Sequence, residues 1–489
     1  MTDIAPELVK GRECKHAVYR DYKPKSSHYG EKNEDIVLVK EVIHGTDGSL
    51  TPNVRLFKNL KRPFHMAKPG FRKYNDKKEW ERTERLDKRE CTQVNLTAEI
   101  ARAFGRPGVD RQLRYWGNSP YLYGADVTTP VILKNHYRKT WADTVSKNTV
   151  AALDIETDMV WGTKEIVSIA ITFKDRAFIG WTKKFQGDQS TLEQDFRDAA
   201  EAMIGDEIRV RKTEITTYIG DNPGDICSEA IKYAHKWMPD IISIWNIDFD
   251  LPRVIEALEK DGYDIGDVFS DPCVPQKYRR AWYTKDKGIK VTQSGKQTPK
   301  HPADKWHTMD CLSSFYFLDS MGCYKKLRVA KGNEANYKLD TILKKVLNIR
   351  KLKIPGAGED HNGKWHTYCQ QHRKAEYLVY NLFDCISLEM LDEKTNDLAM
   401  NVSEICNISE YRNFPSIPRR TVDKLHFFVQ EQGFCIGTTG EDMTEALDEF
   451  CVDIKDKQAY LRELVRLTVP LLSNRYRKTF LTAGIPLRA

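Results

Sequence analysis

Asp154 and Glu156 stand two residues apart at the end of the apolar run TVAALDIET. Alternation along a strand puts both carboxylates on one face, and two acids pressed together there need a cation. Asp250 closes the stretch Trp245-Asn246-Ile247-Asp248-Phe249-Asp250, where a buried strand gives way to a helix. Strand ends in α/β sheets are where ligands collect, although the same aspartate could simply cap a helix opening near Pro252. Tyr380 and Asp384 lie four apart on a helix, so a phenol and a carboxylate reach one small volume. Singly, each feature has a bland explanation: an exposed strand pair, a cap, one buried tyrosine beside a solvated aspartate. Jointly, four acids in this order describe a site. Oxygen ligands hold hard divalent cations, which suits Mg²⁺ or Mn²⁺ better than Zn²⁺. Two such ions about 4 Å apart activate a water and stabilise the leaving 3′ oxygen of a phosphodiester. Tyr380 is then placed to orient that water.

The surrounding sequence must bring these residues together. TVAALDIET, EIVSIAITF and RAFIGWT read as a meander of three strands from Thr149 onward, followed by a helix over 228–238, a buried strand IISIWN and a helix opened by Pro252. The order predicts a mixed α/β sheet. A basic insertion fills 277–305, and its centre AWYTKDKGIKVT predicts strand, glycine turn, strand, as a protruding hairpin. One long helix from about Thr367 to about Asn396 carries Tyr380 and Asp384. Upstream, to about residue 148, β-like runs (DIVLVKEVI, TPVILK) alternate with basic and aromatic loops. Between Lys58 and Arg89, lysines and arginines interleave with Phe64, Phe71, Tyr74 and Trp80, which fits a solvated helix face or a nucleic-acid track. Downstream come a loop at 414–420, the amphipathic TVDKLHFFVQEQ and a helical last forty residues.

A chain of 489 residues with 40% hydrophobic and 30% charged residues predicts a folded protein of roughly two to four domains. Its net charge of +7 permits a polyanionic partner without demanding one. No window approaches about 18 uncharged apolar residues and the N-terminus lacks a secretory pattern, so no membrane partner and a cytoplasmic location are expected. Eleven cysteines without a CxxC pair predict reduced, buried thiols. Neither GxxxxGKS/T nor a strand-linked GxGxxG occurs, which disfavours motors and dinucleotide enzymes. His361, His366, Cys369 and His372 have short spacings that could hold zinc, but structural zinc usually draws on two separated knuckles, and polar side chains turned to solvent explain the run better.

With these motifs in view, the chain resembles the DEDD exonucleases, and among them the proofreading domain of family B DNA polymerases of tailed phages. The first motif of that family is matched by Asp154 and Glu156, the second by Asn246, Phe249 and Asp250, the third by Tyr380 and Asp384. The histidine branch carries its histidine five residues before the last aspartate, and Val379 stands there, so the tyrosine branch is indicated. YLYGAD, MDCLSSFYFL, YKLDTILKKVL and QEQGFCI fall in the family's order, and the likeness covers most of residues 100–440. The resemblance implies an α/β, α+β multidomain chain. A polymerase-type N-terminal domain would span 1–148, a ribonuclease H-like exonuclease domain with a mixed sheet 149–395, and a return to the first domain plus a helical segment 396–489.

It also implies two Mg²⁺ or Mn²⁺ ions on Asp154, Glu156, Asp250 and Asp384, with Tyr380 beside them. DNA would be held by Asn246 and Phe249 and by the hairpin residues Arg279, Arg280, Trp282, Tyr283, Lys285, Lys287 and Lys290, the hairpin moving a primer end between sites. The palm motifs DxxSLYPS and YxDTDS do not occur, and Asp310 to Tyr316 is only a partial look-alike of the first. The expectation is therefore a 3′-5′ proofreading exonuclease of DNA replication, acting on a single-stranded 3′ end or primer-template. It would be one half of a split or truncated polymerase with a separate palm-bearing partner, in a bacterial host cytoplasm if phage-encoded. A DNA-binding docking subunit and a free-standing RNA-trimming enzyme are the competing readings.

Overall fold

In the computed structural model, residues 8–24, 32–291, 296–358 and 361–440 are described. The N-terminal third is built on an antiparallel sheet of β1 (Val9–Tyr22), β2 (Glu34–Gly45) and β3 (Leu50–Lys58) with β2 central. The apolar run in β2 serves two cores at once: Val37 and Val39 pack with Leu133 and Tyr137, while Ile36 and Leu38 pack with Val274 and Tyr278. The run TPVILK is not a strand. It opens α1 (Thr129–Thr140), where Pro130 sits in the first turn and Val131, Lys134 and Tyr137 recur at helical spacing on the buried side. The basic stretch 58–89 does not form a long solvated helix, and of its aromatic residues Phe71 and Trp80 stay exposed. It folds into short strands, Lys61–Ala67 pairing with Leu86–Thr92, and Phe64 is buried against Ile100 and Leu122.

The central sheet begins where the three-strand meander was expected: β4 (Val150–Thr157) and β6 (Arg176–Thr182) each run antiparallel to β5 (Ile166–Phe173), which lies between them. After α2 (Leu192–Arg211), β7 (Glu214–Gly220) adds parallel to β6. After α3 (Pro223–Trp237), β8 (Ile241–Ile244) runs parallel to β4. The finished order is β7-β6-β5-β4-β8-β13, where β13 (Tyr316–Asp319) runs parallel to β8. Every residue of β5 is buried, because helices cover both faces. Alternation sorts β4: Leu153 and Ile155 join the core beneath α3, while Ala152 joins the core on the opposite face.

Three local expectations are corrected. The helix after β8, α4 (Ile247–Lys260), begins a turn before Pro252, which lies inside it. Asp250 is therefore a helical residue in the first turns and not the cap; Asn246 holds that position. In the basic insertion, β9 (Ala281–Thr284) does not fold back on the following strand. It pairs with β12 (Thr308–Cys311), and the hairpin is made by β10 (Ile289–Val291) with β11 (Gln297–Pro299). AWYT itself stays half-exposed, but the buried strand Thr308–Cys311 pairs with it over four residues in register, a longer ladder than the three-residue hairpin β10–β11. After α5 (Ser320–Leu327) and α6 (Leu339–Leu347), the long helix proves to be two, α7 (Gly363–His372) and α8 (Lys374–Thr395), broken at Arg373 (φ −139°, ψ 48°).

The chain then returns to its beginning. α9 (Ile417–Glu431) starts inside the expected loop, capped by Ser416 with Pro418 in its first turn. β14 (Phe434–Ile436) pairs with Trp80–Arg82. The helical expectation for the last forty residues falls outside the described residues. Among the described residues, no helix is long and apolar enough to cross a membrane.

Candidate metal centre

β8 leaves β4 after the Ser243–Ala152 pairing, so the end of β4 is paired only with β5 and its β8 edge is open. The first turns of α4 bring Asp250 to the cavity that opens there, and α8 closes the cavity from above the sheet. Asp154, Glu156 and Asp384 each offer an oxygen there, and those oxygens lie within 4.8 Å of one another. Asp250 is buried and lines the same cavity, of about 1220 Å³, but stands outside that tight trio. Burial pushes the Asp250 carboxyl well up, and the neighbouring Asp154 charge pushes it further. Burial likewise raises Asp154, with Asp384 and Glu156 adding repulsion, and lifts Glu156 to about 8. Asp384 keeps one buried oxygen, Oδ1, without a hydrogen-bond partner among the described residues. A cluster of carboxylates with an unbonded oxygen aimed inward is chemically suited to a hard cation.

The face of α8 supplies more than the expected pair. Tyr377, Tyr380, Asn381 and Asp384 recur at helical spacing toward β4. Asn381 donates its Nδ2 to Asp154 Oδ2 at 2.8 Å, and its own oxygen accepts from Ser168 Oγ at 3.1 Å. Tyr377 Oη donates to Glu156 Oε2 and accepts from Gln370 Nε2 at 3.1 Å. His366 sits against the same phenol, 2.8 Å away, and burial lowers its imidazole to about 4, so it is neutral. Tyr380 Oη meets Lys351 Nζ at 2.7 Å, and that ammonium also donates to Asp384 Oδ2. Burial opposes the Lys351 charge, yet Asp384, Tyr380 and Asp154 outweigh it and raise Lys351 well above the usual lysine range. Sequence reasoning missed Lys351, Tyr377 and Asn381. Tyr377 and Asn381 were open to discovery from their spacing to Asp384; Lys351 comes from a loop and has no local signature.

Other elements hold the site in place. Asp319, at the end of β13, accepts from Ile247 N at 3.2 Å and from Gly322 N, so one carboxylate fixes the start of α4 and caps α5. Burial raises it to about 7. Asp158 accepts from the backbone of Val160, Trp161 and Thr163 at 2.7–2.8 Å, which stiffens the loop that sets Met159 on the cavity wall.

The expected DNA contacts divide. Asn246 and Phe249 line the cavity, with the exposed Phe249 ring under the Arg253 guanidinium at 3.7 Å. None of the residues expected from the insertion lines it. Arg279 is spent on the carbonyls of Val274 and Pro272. Trp282 lies under Arg20. Tyr283 donates to Asp248 and stacks on His307, and Lys285 sits 3.3 Å from Asp248. Arg280, Lys287 and Lys290 are exposed. In the histidine and cysteine run, Cys369 is buried in the core and His361 packs on Trp365, and no metal-ligating group other than the acidic trio forms among the described residues. No protein-family model matches the chain, and no curated protein matches it either.

Proposed function

We propose that the chain is a 3′-5′ exonuclease of the DEDD type, with a ribonuclease H-like catalytic domain. In this reading it trims DNA 3′ ends in association with a family B polymerase palm that these 489 residues do not contain. The observation that carries the proposal is the meeting of Asp154, Glu156 and Asp384 within 4.8 Å, in a cavity that Asp250 also lines. Three strands in a meander, extended by two parallel strands on the side of β4, support the fold reading.

The all-oxygen set suits Mg²⁺ or Mn²⁺. When bound, such ions supply an activated water and neutralise charge on the leaving 3′ oxygen. The four acids would hold them. Asn381 and Tyr377 orient Asp154 and Glu156 through single hydrogen bonds, so neither carboxylate is free to rotate. Tyr380 and Lys351 form a phenol-ammonium pair beside Asp384, a position from which they can orient the attacking water and balance charge on the phosphodiester. Phe249 and Asn246 offer a ring face and an amide to the terminal nucleotide.

The test is digestion of a 3′-labelled single strand and of a mismatched primer in Mg²⁺. The expected result is stepwise loss of 3′ nucleotides, abolished by Asp154→Ala with Glu156→Ala. An unchanged rate in that double variant would refute the assignment.

A further inference from the structure

A second cavity, of about 500 Å³, lies far from the acids in the sequence and draws on other elements: β1, α1, the linker 144–148 and the segment 399–411. Five cations line it, Arg12, Lys15, Lys134, Arg138 and Lys147, against two acids, Glu13 and Glu404. Part of that charge is already committed. Arg12 is paired with Glu41. Lys15 holds Glu13 at 2.8 Å, and Glu13 also accepts from Ser146 N and Oγ. What remains among the lining residues is Lys134, Arg138 and Lys147 against Glu404, with Glu410 also acting on Lys134 and Glu13 on Arg138.

Of the remaining cations, Lys134 is buried while Arg138 and Lys147 stand exposed at the rim. Lys134 is buried, 5% exposed, with the Ser409 carbonyl at 2.8 Å as its hydrogen-bond acceptor and the Tyr411 ring 5.2 Å away. A buried ammonium on one neutral acceptor is costly unless an anion joins it. Arg138, on the last turn of α1, makes no hydrogen bond or ion pair among the described residues. Lys147 is held only by the Asn396 side chain at 3.0 Å. Trp141, Tyr137 and Met400 complete the wall with apolar surface.

We propose that this cavity binds a small phosphomonoester with a flat body, of the size of a nucleoside monophosphate. A phosphomonoester carries about −1.5 to −2 charges near pH 7 and three acceptor oxygens, which matches these cations. The volume falls within the range of about 300–1,000 Å³ typical of small-molecule sites. The proposal does not depend on the nuclease reading.

The test is calorimetric titration of the full chain in EDTA with dAMP, ribose 5-phosphate and inorganic phosphate. The same titration is run on the variant Asp154→Ala with Asp384→Ala. One equivalent of dAMP is expected to bind both proteins with a Kd below about 1 mM. Tighter binding of dAMP than of ribose 5-phosphate and inorganic phosphate is expected, and equal affinity for all three overturns the flat body. Arg138→Gln and Val145→Glu should each weaken binding at least tenfold, the latter at a position 72% exposed where folding is not at stake. Absence of saturable binding to the wild type overturns the proposal. So does binding that the acid double variant abolishes, or that both cavity variants leave unchanged.

Discussion

At the scale of single residues, Lys351 governs how the acids coexist. Its ammonium reaches Asp384 and Tyr380 and feels Asp154, so it offsets repulsion that burial would otherwise intensify. Lys351→Met is expected to cut nuclease activity by about 10²-fold or more, in line with the loss of a positioned charge or proton-handling group. In metal-free buffer the same variant should lose about 3–5 kcal/mol at pH 8, the cost of leaving a buried carboxylate unpaired. At pH 5 the loss should shrink, because the stranded acids take up protons. Urea denaturation at the two pH values measures this. The acids themselves were legible because strand alternation and helix spacing are local rules. Lys351 was not, because its place depends on the path of a loop between α6 and α7 that no period encodes.

At the scale of elements, the site depends on how α4 is launched. Asp319 ties the first amide of α4 and the amide of Gly322 to the end of β13. Asp319→Ala should cost about 1–3 kcal/mol, since both amides lose a buried acceptor, and should lower activity by displacing Asp250. Hydrogen exchange at Ile247 reads the first effect directly. Glu389 on α8 provides a pH dependence: burial raises it to about 7, against hydrogen bonds from Lys174 N and Arg211. A carboxyl raised by folding contributes stability that is present below its unfolded value near 4.5 and lost as pH rises through about 7. Glu389→Gln should therefore gain on the wild type by about 1–3 kcal/mol between pH 5 and pH 8. If the difference stays flat across that range, the raised value is wrong. The meander was readable because each run is short, β-branched and bounded by turn residues. TPVILK misled because six residues are too few to separate a helical period from strand propensity, and the insertion misled because the partner of β9 lies 27 residues downstream.

At the scale of the whole molecule, the chain closes on itself: Thr439 lies against Gly117, and β14 pairs with Trp80–Arg82. A Cβ on Gly117 would stand 2.2 Å from the Thr439 carbonyl oxygen, a backbone atom that cannot yield as a flexible side chain would. Gly117→Ala should cost about 1–3 kcal/mol and speed proteolysis after residue 430, followed by electrophoresis. Nothing in the local sequence around QEQGFCI shows that it completes a sheet begun some 350 residues earlier, since register across such a distance is decided by packing.

The lysine lodged among the carboxylates carries one last implication. Folds built around a metal usually melt when chelated, because the acids or thiols repel one another once the ion is stripped. A chain that brings its own tethered counterion into the nest should survive storage and purification without divalent salts. EDTA is expected to silence the reaction while leaving the thermal midpoint essentially where it was, and re-addition of Mg²⁺ should restore turnover without a refolding step.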